Sequence, residues 1–190
     1  MDAATRILRS EHEALRKMLE FTETVTDRMS RGENVHPELL GRVLEFFRVF
    51  MEGRLLTKEE DFLLPALERR GLSRHGGPIA LMLIDHKRGR RLVRQMAEAS
   101  AAYEDGSREA GKRWGGVASD FVDLMRDHLN EEEAVLFMTA DSFLLPAEQA
   151  ELAARFERLE VAKAASARHR LIHSMPEELL RGDGELMLAG

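Results

Sequence analysis

The sequence contains no cysteine. That excludes disulfides, thiolate metal sites and cysteine nucleophiles. Aromatic residues make up only 6% of the chain, with one Trp and one Tyr. Strand-forming residues are sparse beside abundant Leu, Ala, Glu and Arg, so the expected class is all-α. No run is long and apolar enough to span a bilayer. Met1-Asp2-Ala3-Ala4-Thr5-Arg6 opens an amphipathic pattern without the apolar core of a signal peptide, and a cytoplasmic setting is expected. There is no excess of positive charge: 28 Lys and Arg stand against 34 Asp and Glu, a net charge of −6. That balance points away from nucleic acid and from anionic membranes. No nucleophile triad, phosphate loop or nucleotide fingerprint occurs.

What remains is a chain of 190 residues, long enough for one domain with a buried core. A first helix is expected from Ala3 to Ser30, with Leu8, His12, Leu15, Leu19 and Thr22 on one stripe. Pro37 suits the first turn of a second helix running to Arg70, with a kink or break expected at Pro65 and Gly71 as its cap. Pro78 opens a third helix to Glu104 that carries Ile79, Met82, Leu83, His86, Val93 and Met96 on one face. A fourth helix runs from Arg108 to Thr139. Within it, Gly115-Gly116 either weakens the helix or lets another element approach closely. Pro146 begins a short fifth helix ending near Glu160. Four long helices with short turns make an up-down-up-down antiparallel four-helix bundle the expected architecture. It occupies residues 1–160, and 161–190 form a C-terminal helical segment and tail.

The informative stretch is Asp127-His128-Leu129-Asn130-Glu131-Glu132-Glu133-Ala134-Val135-Leu136-Phe137. His128 and Glu132, at i and i+4, share a helix face with Phe121, Leu124, Met125 and Val135. An imidazole and a carboxylate are thus aimed at the core, where a lone carboxylate is costly unless paired or holding a metal. Glu131 and Glu133 read as an exposed acidic run.

A short repeat links this stretch to the second helix. Leu56-Thr57-Lys58-Glu59-Glu60-Asp61 lines up with His128-Leu129-Asn130-Glu131-Glu132-Glu133, which makes Glu60 the partner of Glu132 and sets Leu56 opposite His128. Five residues then share inward faces: His12, Glu60, His86, His128 and Glu132. Such a set of imidazoles and carboxylates suits iron, zinc or manganese. Taken singly, His12 and His86 read equally as satisfied core histidines, and Glu60 as a partner of Arg90. His36 and His75 sit in turns. His169 and His173 form an i, i+4 pair without a carboxylate repeat, read as surface or packing residues.

The ordered set resembles the hemerythrin-like, or HHE cation-binding, family over residues Ala4 to Phe156. The resemblance is carried by Ser10-Glu11-His12-Glu13, by Lys58-Glu59-Glu60-Asp61-Phe62-Leu63-Leu64-Pro65, by Gly77-Pro78 with Asp85-His86 and Gly89-Arg90, and by His128 through Glu132 with Val135-Leu136-Phe137. It implies a non-haem di-iron centre in a four-helix bundle, with His12, Glu60, His86, His128 and Glu132 as ligands and the two glutamates as bridges. It also implies reversible O2 binding, sensing of O2, NO or redox state, iron handling, or weak peroxide chemistry.

The chain departs from the family pattern at Arg54-Leu55-Leu56, where a histidine is usual. With Leu56 read as the replacement, one metal position keeps mainly His12 and the carboxylates, while the other keeps His86 and His128. Glu52 and Glu59 are candidate substitutes. The expected function is therefore metal binding at an asymmetric centre holding one or two ions, with a diatomic or peroxide ligand. The alternative is a metal-free bundle serving as an interaction or regulatory module. A carboxylate di-iron enzyme is less expected, because those sites use Glu-x-x-His spacing and this chain has His-x-x-x-Glu.

Overall fold

The stripe of the first helix folds as its spacing requires. α1 (Ala3–Ser30) buries Leu8, His12, Leu15, Leu19 and Thr22. It ends at Gly32, whose φ of +74° lies in the left-handed region that favours glycine. The computed structural model describes residues 3–164, 172 and 174–183, and among these it is helical with no strand.

The second rod, α2 (residues 37–69), starts as an α-helix at Pro37–Phe46, where the exposed His36 ring accepts from the Glu38 N–H at 3.3 Å. It then widens twice into π-helical turns, at Phe47–Leu55 and at Glu59–Leu63, before closing as α-helix at Leu64–Arg69. The Leu56 N–H reaches the Met51 carbonyl and the Leu64 N–H reaches that of Glu59, the i→i+5 pairing of a π turn. The break expected at Pro65 does not occur; the chain passes from the second π segment directly into α-helix around the proline. Gly71, at φ +98°, closes the rod, and the Leu72 N–H returns to the Leu67 carbonyl at 3.2 Å.

α3 (Gly77–Glu104) buries Ile79, Met82, His86, Val93 and Met96. α4 (residues 108–143) is longer than expected. It runs as α-helix over Arg108–Glu131, as π-helix over Glu132–Phe137, and as α-helix again to Phe143. A Cβ at Gly115 would lie 3.5 Å from both the Met29 Cβ and the Thr26 carbonyl of α1, ordinary van der Waals contact, so α1 passes nearby without requiring glycine there. α5 (Pro146–Ala164) outruns the expected end at Glu160. A last short helix, α6 (Met175–Glu178), leads into a π turn at Leu179–Asp183. Lys17 of α1 pairs with Glu177 at 2.9 Å, and Ile172 and Met175 are buried. The expected His169–His173 pair lies outside the described residues.

α3 packs along α4, α4 along α1, α2 against α3, and α5 against α1. Trp114, Phe46, Phe47, Phe50, Phe121 and Phe137 are fully buried between them. Phe46 stacks on Phe50 at 4.7 Å, and Phe47 meets Phe121 at 4.5 Å. Each such ring contributes about 1.5–3 kcal/mol through burial. That is enough to hold polar groups in the interior where the π turns lie.

Candidate metal centre

Each long rod contributes to one buried cluster: His12 from α1, Glu59 from α2, His86 from α3, and His128 with Glu132 from α4. Their side chains are at most 1% exposed. His86 Nε2 faces His128 Nε2 at 3.2 Å. His12 Nε2 lies 3.4 Å from Glu132 and 3.6 Å from Glu59; His86 Nε2 lies 3.4 Å from Glu59, and His128 Nε2 lies 3.5 Å from Glu132. Two groups of three follow, Glu59-His86-His128 and His12-Glu59-Glu132, each with its ligand-type atoms within 4.8 Å of one another. Glu59 belongs to both.

Outer acidic groups hold two of the imidazoles by hydrogen bonds and face the third. His12 Nδ1 is 2.9 Å from Glu133, and His86 Nδ1 is 2.7 Å from Glu60. His128 Nδ1 lies 3.9 Å from Asp85. Arg16 donates to Glu133 at 3.0 Å and Arg90 to Glu60 at 2.8 Å, keeping those carboxylates charged. A carboxylate on Nδ1 selects the tautomer with its proton there and leaves the Nε2 lone pair pointing inward. In the neutral ring of His12 or His86 the inward nitrogen is therefore the one free to ligate a cation.

Beyond these contacts the centre leaves inward-facing polar atoms unpartnered. His12 Nε2 and all four oxygens of Glu59 and Glu132 are buried with no hydrogen-bond partner. Burial pushes the Glu59 carboxyl up, and the Glu132 charge pushes it further. Burial also acts to raise Glu132, but His12 and the other imidazoles outweigh it and hold it below its ordinary value. Burial would depress His12, yet the Glu132, Glu133 and Glu59 carboxylates outweigh it and hold the imidazole well above its usual range. Glu60, half-buried, resists the upward push of burial because His86 and Arg90 hold it at about 2. Bare imidazole nitrogens and unpaired carboxylates converging in a dry interior are a donor set for a divalent cation.

The structure brings His12, His86, His128 and Glu132 together as the sequence predicts, but not Glu60. Glu60 lies at the edge, 23% exposed, and accepts from His86 and Arg90, while its neighbour Glu59 faces the cluster. The reason is register: aligning the acidic triplets pairs Glu60 with Glu132, whereas in the structure Glu59 is the residue that opens a π turn and faces the cluster as Glu132 does. The π turn beginning at Glu132 holds one residue more than the 3.6 spacing assumes, so the inward position moves on from Val135, 45% exposed, to Leu136. Glu133, read as exposed, is the partner of His12.

The internal repeat is real in space but shifted by one from its first register. Glu59 corresponds to Glu132, since both begin π turns and face the centre. Glu60 then corresponds to Glu133, since both accept from a histidine Nδ1. Aligning Leu63-Leu64 with Leu136-Phe137 would have given this register. It sets Leu55 opposite His128 and Leu56 opposite the core residue Leu129. α1 and α3 match as well: His12 and Arg16 correspond to His86 and Arg90, and Glu11 to Asp85.

The family model for the hemerythrin HHE cation-binding domain matches residues 3–140. The chain belongs to that family. The match spans α1 to α4 and includes every residue of the cluster. No match is found among curated proteins or among solved structures. Family membership brings cation binding, and the His/Glu groups are where the described residues offer it. No helix among the described residues is long and apolar enough to cross a membrane.

Proposed function

We propose that the chain is a non-haem iron protein whose metal is held by His12, Glu59, His86, His128 and Glu132. The observation that carries this reading is the set of buried, unpartnered atoms on His12, Glu59 and Glu132 in a chain of a cation-binding family. The two groups are unequal. One has the nitrogens of His86 and His128 with Glu59; the other has only His12 with Glu59 and Glu132. The first is the tighter site. Imidazole and carboxylate suit iron, with zinc and manganese as competitors.

Bound iron would supply a redox-active centre with an open position for O2, NO or peroxide. The protein's own part is to exclude water, fix the imidazole tautomers through Glu60 and Glu133, and keep those carboxylates charged through Arg90 and Arg16. The role that follows is sensing or binding of a small oxidant, or iron handling, in the cytoplasm. The architecture proposed for it is an up-down-up-down four-helix bundle over residues 1–160, with 161–190 as an appended segment.

The test is elemental analysis of the protein purified without added metal, with a visible spectrum of the same sample. Iron bound in stoichiometric amount supports the reading. A protein that stays metal-free after anaerobic loading with ferrous iron rejects it and favours a metal-free interaction module.

A further inference from the structure

The pseudo-symmetric halves of the centre differ most where Leu55 stands opposite His128. On the His128 side, Asp85 lies 3.9 Å from the ring Nδ1. On the Leu55 side, the counterpart of Asp85 is Glu11, which has no imidazole to face. Its Oε1 instead pairs with the ammonium of Lys58, while its Oε2 is buried without a hydrogen-bond partner. Lys58 is itself wholly buried, pairs also with Glu160 at 2.6 Å, and immediately precedes Glu59. Its counterpart on α4 is the exposed Glu131. Arg54 adds a second cation here, donating to Glu160 at 3.1 Å. A buried lysine needs such pairing, because a bare ammonium in the interior is costly.

We propose that Lys58 takes the place of the missing imidazole at the outer carboxylate Glu11: with its ammonium bound there and leucine at position 55, the protein takes up one ion rather than two. This rests on the metal-binding reading above. Two features act together on that side. Leucine at position 55 offers no lone pair. Lys58 engages Glu11, the carboxylate positioned to orient an imidazole, and is locked there by its second pair with Glu160. An imidazole introduced at position 55 would find that carboxylate already held by the ammonium. Neither change alone therefore restores the site: a new imidazole at position 55 still lacks the Glu11 carboxylate, and removing the Lys58 ammonium still leaves a leucine.

The test compares the wild type with Leu55→His, Lys58→Met and the double variant. Each is loaded anaerobically with ferrous iron, desalted, and measured for ions per chain, with a thermal melt to establish folding. The expected result is one additional ion per chain in the double variant only, with each single variant at the wild-type level. The proposal is overturned if Leu55→His alone gains the additional ion, or if the folded double variant gains none. Lys58→Gln in place of Lys58→Met gives a second double variant should the first not fold. The outcomes separate the two readings. A wild type with no iron but a double variant that gains an ion rejects the resident-iron reading and supports the role of Lys58. A wild type with one ion and a double variant that stays at one rejects only the role of Lys58.

Discussion

Glu133 and His12 sit on different rods, and the Glu133 carboxylate lies 2.9 Å from His12 Nδ1 while Arg16 donates to the same oxygen at 3.0 Å. The hydrogen bond from His12 lowers the pKa of Glu133, against the upward push of burial. Glu133 therefore stays ionised and orients the ring without entering the centre. Glu133→Gln is expected to keep the fold and weaken metal binding by about 10–100-fold, the usual cost of losing a carboxylate that orients a ligating imidazole. Competition against a chromophoric chelator reads this directly; unchanged affinity would show that Glu133 does not orient the ring.

Glu59 and Glu60 are adjacent in sequence and opposite in expected effect. Glu59→Leu removes the residue common to both candidate groups, and metal uptake should be lost. In the metal-free protein the same change relieves a buried carboxylate that has no hydrogen-bond partner and lies beside Glu132. Glu132 and Glu133 remain to pair with His12, so urea unfolding in chelator should show stability equal to or greater than that of the wild type. Glu60→Gln should weaken binding and leave its stoichiometry unchanged. If the two substitutions behaved in reverse, the inward placement of Glu59 would be wrong.

The helices and most of their inward positions are legible from spacing, because α1 and α3 are unbroken α-helix and their stripes run true from Leu8 to Thr22 and from Ile79 to Met96. His12 and His86 follow from that regularity, and His128 from the α-helical part of α4 ahead of its π turn. Glu59 enters only as a candidate substitute, because the acidic run and a leucine align in either of two registers one residue apart. The register in which the apolar pair Leu63-Leu64 matches Leu136-Phe137 is the structural one. Glu133 was hidden for a related reason: a partly exposed carboxylate in an acidic run looks like surface until the histidine of another helix is placed beside it.

Metal binding should release protons. The imidazoles and carboxylates of the cluster bind a cation only when deprotonated, and the carboxylates around His12 raise its pKa. Below that raised value the ring carries a proton that the metal must displace, so affinity is expected to fall as pH falls and rise as pH rises toward it. Calorimetric titration in buffers of different ionisation enthalpy measures the protons released. Affinity independent of pH across the neutral range would contradict this.

Gly71 provides a test of the fold away from the centre. Its φ of +98° closes α2, and a Cβ there would meet nothing within 4 Å. Gly71→Ala should therefore cost about 1–2 kcal/mol from backbone strain alone. The loss should appear equally in metal-free and metal-loaded protein, measured as a shift in the unfolding midpoint.

The π turns have a consequence for what insertions and deletions the chain tolerates. A π turn is helix carrying one residue more than an α turn requires. Deleting that residue would let the backbone relax to α-helix, yet every later side chain on the rod would swing by about 100°. Leu63, at the end of the second π segment of α2, and Leu64 and Leu67 beyond it are fully buried, and Leu136 and Phe137 are buried at the end of its counterpart on α4. Shedding the surplus residue would carry these hydrophobic side chains out of the core. The extra turn is thus trapped between two commitments, with carboxylates facing inward at its start and apolar residues locked at its end. The aim of Glu59 and Glu132 is set by leucine and phenylalanine up to two turns downstream, and a length change there should silence the centre without touching any residue in it.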